Sequence, residues 1–309
     1  MLNTTTLLNS SRAIRALTGF NAEDIRGLIP VFEAEEIAHA TARVQSQVDA
    51  GERERLPGAG KKPYMTTALD RLIFILVYFR TYPTQDLHGV LFGMGQSAAN
   101  KWIHRLWPVL EKTLGRELAL PQRPGYGTLE ELVRACPELV YAIDATERPI
   151  CRPSDPVRQQ DSYSGKKKRH SLKNTLVVNQ RTRRVLSLGR TASGRVHDKR
   201  LVEEDGLELP KASVCFQDSG YTGFTLPGVV HLMPKKKPIG GELSAKERLF
   251  NRKLSSARVA AEHSIAGVKR SRIVHDTYRN RRPGFEDCVM SIACGLHNLR
   301  TDLRMRRAR

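Results

Sequence analysis

Two apolar runs in this chain lead straight into acids, and that pairing narrows the folds open to it. Residues 139 to 149, LVYAIDATERP, begin as a buried strand would and arrive at Asp144. Residues 213 to 221, SVCFQDSGY, do the same and arrive at Asp218. Burying an unpaired carboxylate costs several kcal/mol. Each acid therefore calls for a helix N-terminus, a basic partner or a metal ion. A single Asp after a strand is a turn former; two such strands in one chain suggest a shared site.

Charge points to the partner. The 309 residues carry a formal net charge of +19, and 40% are hydrophobic, enough to bury a real core. Such an excess is the footprint of a polyanion, with nucleic acid the default and an anionic membrane the other candidate. The longest apolar run, LIFILVYF at 72–79, falls short of the roughly 20 residues a spanning helix needs. The opening MLNTTTLLNSS has no basic-then-apolar signal pattern. The expectation is no membrane and a cytoplasmic, nucleoid-associated location. Five cysteines without a C-x-x-C pair read as small core residues, not as disulfides or a zinc site.

The basic charge is unevenly spread. Residues 1–60 hold 6 Lys/Arg against 8 Asp/Glu, residues 152–200 hold 14 against 3, and residues 235–309 hold 19 against 7. The basic charge thus belongs to the C-terminal two-thirds of the chain, where the two acid-terminated runs also lie.

Residues 1–50 read as short helices, a packing or dimerisation element, with Asn21 as an N-cap and Asp24 three residues on. GERERLPGAGKKP at 51–63 reads as a linker. Residues 66–115 read as helical throughout. A helix opens at a Thr cap with Asp70 in its first turn. TQDLHGVLFG is a short helix ended by Gly93, and GQSAANKWIHRLWPVLEKTL a longer one with Ser97 as its expected N-cap. That pattern is a helix-turn-helix. Its second helix would turn Gln96, Ser97, Asn100, Lys101 and His104 to base edges; the plainer reading is an all-helical packing domain.

Pro121, Pro124, Gly125 and Gly127 mark a boundary. Beyond it the pattern predicts three strands, a helix over HDKRLVEEDG, a fourth strand into Asp218, a short fifth, and a helix from Ser244 to Val274. Asp198 is placed to cap or start the first of these helices. These elements describe an α/β domain with a mixed sheet. The expected division is a helical segment and linker over 1–60, a helix-turn-helix domain over 61–120 and a catalytic domain over 130–309.

Sites in α/β sheets gather at the carboxyl ends of strands. On neighbouring strands, Asp144 and Asp218 could share a divalent cation, with Mg²⁺ or Mn²⁺ suited to oxygen ligands. In ARVAAEHSIAGVKRSRI, Glu262 follows Arg258 by four residues and precedes Lys269 by seven, so the three share a helix face. They are either a solvated ion-pair stripe or an acid aimed at a metal with phosphate-holding bases beside it.

At this point the chain resembles a known family. The order Asp144, Asp218, Glu262 on strand, strand and helix is similar to the DDE transposases, whose catalytic domain is RNase H-like. Arg258, Glu262 and Lys269 match the R-(3)-E-(6)-K signature of the IS4 and IS5 groups. AIDATERPI, SGRVHDKRL, DSGYTGF and RTYPTQDLHGVLFGMGQSAANKWIHRLWPVL resemble the IS5-type, Harbinger-like subgroup. Ser255 stands where the fuller signature has Tyr, in that family an accessory residue near the DNA end. Asp198 competes for the second acid; its plainer reading is a helix N-cap. His197 and His263 read as hydrogen-bonding or phosphate contacts.

The resemblance implies an α/β, RNase H-like mixed-sheet catalytic domain preceded by an all-α helix-turn-helix domain. It implies a metal-dependent endonuclease and strand transferase. Two Mg²⁺ or Mn²⁺ ions would be held by Asp144, Asp218 and Glu262, acting on double-stranded DNA at terminal inverted repeats and at the target. Arg258 and Lys269 would grip DNA near the scissile phosphate. Lys166, Lys167, Lys168 and Arg169, then Lys235, Lys236 and Lys237, and the terminal RMRRAR would hold the backbone. A homodimer or larger assembly is implied, because two ends are handled together. The competing readings are a domesticated, catalytically silent DNA-binding regulator, a nuclease that never joins strands, and a basic structural protein.

Overall fold

The computed structural model describes residues 2–52, 64–124 and 128–308. Of the expected linker only Gly51, Glu52 and the boundary to Tyr64 fall within them; Gly125, Gly127 and Arg309 lie outside. The chain forms two compact units, one of Met1–Ala119 with Arg270–Ile273 and one of Leu120–Lys269 with Val274–Arg309.

The first unit is helical: α1 (Thr4–Asn9), α2 (Ser11–Thr18), α3 (Ala22–Asp49), α4 (Ala68–Thr81), α5 (Gln85–Leu91) and α6 (Gln96–Arg116). The residues expected to form only short helices include one of 28 residues, α3. Its start is as expected, with the Asp24 carboxylate accepting from the Asn21 amide at 3.0 Å. Two adjacent acids tie it down: Glu36 to Arg71 on α4 and Glu35 to Arg116 on α6, each at 2.7 Å. These long-range pairs hold continuous a segment whose local pattern suggested pieces.

Thr67 and Asp70 cap α4 reciprocally. Between α5 and α6 the chain turns tightly. A Cβ at Gly89 would lie 2.4 Å from the Met94 carbonyl oxygen, so only glycine fits there. Gly95, not Ser97, is the N-cap of α6: the Ala99 amide already bonds the Gly95 carbonyl at 3.0 Å, which places Ser97 inside the first turn. Phe74, His88 and Phe92 stack behind this turn, with ring centroids 4.2 and 4.9 Å from Phe74. Burial pushes the His88 imidazole down to about 4, so it packs as a neutral ring.

The second unit is built on a mixed sheet. Its elements are α7 (Leu129–Ala135), β1 (Val140–Pro149), α8 (Pro156–Ser162), β2 (Tyr163–Ser164), β3 (Arg169–Asn179), β4 (Val185–Leu188), β5 (Ala192–Ser193), α9 (Asp198–Glu204), β6 (Val214–Phe216), β7 (Val230–Leu232), α10 (Ala245–Val268), the second half of α11 (Arg272–His275), whose first half counts with the first unit, and α12 (Phe285–Arg307). The sheet order is β2-β3-β1-β6-β7, with β4 and β5 on β3. β3 runs antiparallel to β1, while β6 and β7 run parallel to it. This is the mixed-sheet α/β architecture expected behind a helix-turn-helix region.

Strand alternation gives β1 two faces. Tyr141 and Ile143 pack with Leu132 of α7, Cys136 just after it and Val202 of α9. Ala142 and Asp144 face the other way. α10 packs across β1, β3 and β6, and α12 packs against β4 and α10. Asn298 of α12 bonds both backbone groups of Val185, at 2.8 and 2.7 Å, and so acts as an extra strand segment on β4.

Four elements were not legible in the sequence: α7, α8, the two-residue strand β2 and the 23-residue α12. The helix expected over Ser244 to Val274 ends instead at Val268, with Lys269 as C-cap, before the separate α11.

Candidate active site

The register of β1 and β6 positions the two acids. The last parallel pair is Ala142 with Phe216. Asp144 lies two residues beyond the first and Asp218 two beyond the second, and neighbouring strands run about 4.8 Å apart. The expectation that Asp144 ends its strand is corrected: it is the fifth of ten residues in β1 and pairs with Leu176 of β3. β3 is long enough to accompany β1 to Pro149. Only the β6 side of β1 is released after Ala142, and there the carboxylate is bare of strand partners.

The two acids sit in different electrostatic surroundings. Asp144 is half-buried, and its oxygen accepts the Ala145 amide at 2.8 Å. Burial pushes its carboxyl up to about 6; the Ala145 bond and Arg258 oppose this, while Asp218 and Asp198 reinforce it. Asp218 caps the short turn Ser219–Tyr221, accepting from the Gly220 amide at 2.6 Å and the Ser219 hydroxyl at 3.1 Å. Burial pushes its carboxyl up as well, but those two bonds together with Arg258 and Lys166 outweigh it and hold the group below the usual carboxylate range. Arg258 Nη2 approaches Asp218 Oδ2 to 3.7 Å.

Lys269 belongs to the same field. Burial, Lys167 and Arg169 lower its pKa, and Glu147 and Asp144 act against them. Lys166, Lys167 and Lys168 are exposed on the turn between β2 and β3, and Lys168 takes a left-handed φ of 53° there. Lys235, Lys236 and Lys237 are exposed on the loop after β7, which Asn251 of α10 fixes through both backbone groups of Lys235, at 2.8 and 2.9 Å.

Glu262 stands apart. It is exposed on α10, one turn beyond Arg258, and makes no ion pair among the described residues. Nor do any three His, Cys, Asp or Glu side chains among the described residues gather closely enough to ligate one ion. The chemistry of Asp144 and Asp218 suits a hard cation: two carboxylates on adjacent strands, one of them burdened by burial without a close cationic partner.

A further acid adjoins them. Asp198 is not the N-cap of α9; His197 is, and Asp198 is the first helical residue. Buried Lys173 on β3 holds Asp198 Oδ1 at 2.9 Å, bonds the Val196 carbonyl at 2.9 Å and lies 3.5 Å from Glu147. A Cβ placed on Gly220 would lie 3.0 Å from Asp198 Oδ2 and 3.6 Å from Asp218 Oδ1, so both carboxylates converge on one point. They line a cavity of about 530 Å³ with Lys166, Lys173, Arg195 and His197. Sequence reasoning missed Lys173. Its signal was a charge inside the predicted strand KKRHSLKNTLVVNQ, the same oddity that marked Asp144. His263 is exposed on α10.

On α6, Gln96, Ser97 and Lys101 are exposed and Asn100 and His104 are half-buried. Gln96 bonds Gln85 of α5 at 2.6 Å, which fixes the start of α6 against the preceding helix.

Residues 143–298 match the model of the DDE superfamily endonucleases, and residues 67–116 match that of the helix-turn-helix of the same endonucleases. Two curated relatives are named, provisionally, as transposases for insertion sequence elements. That of IS702 from Microchaete diplosiphon is 27% identical over 295 residues, covering 96% of each chain. That of IS112 from Streptomyces albus G is 26% identical over 241 residues, 77% of this chain and 82% of the relative. No solved structure matches.

Proposed function

This chain belongs to the DDE superfamily endonucleases, and from that premise we propose that it is an insertion-sequence transposase. It binds the ends of its element, hydrolyses phosphodiester bonds there and passes the 3′-hydroxyl end to target DNA. The observation that carries this reading is the placement of Asp144 and Asp218, each two residues past the last parallel pair of adjacent strands.

Asp144 and Asp218 would hold Mg²⁺ or Mn²⁺, with Glu262 as the third acid that the family resemblance assigns to it. When bound, two such ions lower the pKa of an attacking water and neutralise charge on the attacking and leaving oxygens. Arg258 and Lys269 hold phosphate oxygens beside the acids. Lys166 to Arg169 and Lys235 to Lys237 hold the flanking backbone. Residues 61–120 read the terminal repeats through Gln96, Ser97, Asn100 and Lys101, and residues 130–309 do the chemistry. The working form is a homodimer or larger, acting on DNA in the cytoplasm.

A second reading has one observation in its favour. Glu262, exposed and without an ion pair among the described residues, suits a domesticated regulator that binds DNA and leaves it intact. Strand transfer separates these readings from each other and from a simple nuclease. Labelled terminal repeats, uncut and pre-cut to expose the 3′-hydroxyl, are incubated with a supercoiled plasmid and Mn²⁺; the uncut repeats should be cut and the pre-cut ones joined to the plasmid. Cutting without joining would make the protein a nuclease; binding with neither would make it a regulator.

A further inference from the structure

Beside the acidic cavity lies a second one, of about 720 Å³, lined by Arg152, Gln159, Tyr163, His170 and Arg195 among others. The two share Gly165 and Arg195, so the cavity that holds Asp218 and the one that holds Tyr163 adjoin there. The chemistry of the second is that of a nucleic-acid strand site: guanidinium groups, an aromatic ring and amide side chains, with no carboxylate in the lining.

Local structure holds these groups in place. Tyr163 pairs with His170 and Ser164 with Arg169 across the β2–β3 ladder, and the turn is closed by the Lys168 amide on the Ser164 carbonyl at 2.7 Å. The hairpin that raises the three lysines therefore also raises Tyr163. Tyr163 as a whole is 42% exposed, and its ring meets the His170 ring edge-on, at 5.5 Å between centroids. Buttressed on one side, it keeps open surface for another partner. Gln159 of α8 holds the Arg152 guanidinium at 3.2 and 2.9 Å, so that cation is also oriented.

We propose that this cavity takes an unpaired nucleotide of a DNA strand leaving the acid site. Its base stacks on Tyr163 and its phosphates lie between Arg152 and Arg195. Inside a duplex each base is stacked on both faces and paired at its edge, and at a blunt end the one free face belongs to a full-width base pair, so a strand end released from pairing fits the site better than a blunt one. The inference rests on the reading of Asp144 and Asp218 as the point of cleavage.

The test needs neither metal nor cleavage. Full-length protein in EDTA is titrated into two labelled duplexes of equal length, one blunt and one carrying a four-nucleotide single-stranded tail. The wild type should prefer the tailed duplex, and Tyr163→Ala should lose that preference by roughly 5-fold or more, the range of one base–aromatic stack. Tyr163→Phe should retain it, and Arg152→Ala should weaken binding to the tailed duplex alone. Unchanged blunt-duplex affinity serves as the folding control. Equal affinity of wild type and Tyr163→Ala for the tailed duplex, or an equal drop on both duplexes, would overturn the proposal. Failure of the wild type to bind either duplex would instead remove the DNA-processing reading beneath it.

Discussion

Arg258 of α10 reaches across to Asp218 at the end of β6, with Nη2 3.7 Å from Oδ2. A helix laid over the sheet thus supplies the cation beside an acid that a strand delivers. Arg258 also lowers the pKa of Asp144. Removing it should let both carboxyls rise. The acidic limb of the cleavage pH profile should then move to higher pH in Arg258→Ala than in the wild type. A limb that stays in place, or moves to lower pH, would show that Arg258 does not act on these acids.

Asp144 makes a prediction about stability. Its carboxyl titrates at about 6 in the folded chain against a usual 3.8. The folded state therefore holds the proton more tightly than the unfolded one. Stability falls as pH rises from the lower value to the higher and stays reduced above it. Asp144→Asn removes that penalty and should stabilise the protein by about 2–3 kcal/mol at pH 7.5, with little gain at pH 3.5. Mg²⁺ should stabilise the wild type more than the variant. Thermal unfolding at the two pH values, with and without Mg²⁺, reads all of this; a variant less stable at pH 7.5 would contradict it.

Lys173 is the buried cation between Glu147 and Asp198. Lys173→Met leaves two carboxylates without it, a loss of about 3–5 kcal/mol when a buried pair is broken. Urea unfolding should show the drop, and the double variant with Glu147→Gln should recover part of it. A Lys173→Met protein as stable as the wild type would mean that the network contributes nothing.

Recognition is predicted to reside in α6. Lys101→Ala should weaken binding to the element's terminal repeats and narrow the gap between specific and random duplex, since Lys101 is exposed in the second turn of that helix. Titrations on the two duplexes decide this, and identical curves for variant and wild type would take Lys101 out of the reading helix. Gly89→Ala should damage the same function indirectly. A Cβ there meets the Met94 carbonyl oxygen at 2.4 Å, and overpacking of that kind costs about 1–3 kcal/mol.

The sequence carried much of this because strand chemistry is local. Apolar runs ending in Asp144 and Asp218 revealed two sheet strands and their acids. What it could not carry was register. Nothing in LVYAIDATERP says that β3 accompanies β1 past the acid while β6 stops at Phe216. Helical spacing put Arg258 and Glu262 on one face, and only the packing of α10 separates the half-buried guanidinium from the exposed carboxylate. Asp198 read as a cap because its real partner, Lys173, lies 25 residues away on strand β3. α12 was missed because VMSIACGLHNL is buried nearly all round, and a helix apolar on every side has little periodicity to read.

The central claim is that Asp144 and Asp218 form the core of a metal-dependent cutting site, and one measurement tests it directly. The DNA flanking the gene is prepared as a labelled duplex and incubated with wild type, Asp144→Asn, Asp218→Asn and Glu262→Gln, each with Mg²⁺ or Mn²⁺ and with EDTA. The account predicts cuts at a defined end that need the metal and disappear in every variant, while duplex binding persists. Cutting by Asp144→Asn or Asp218→Asn at the wild-type rate, or wild-type cutting undiminished in EDTA, would contradict it.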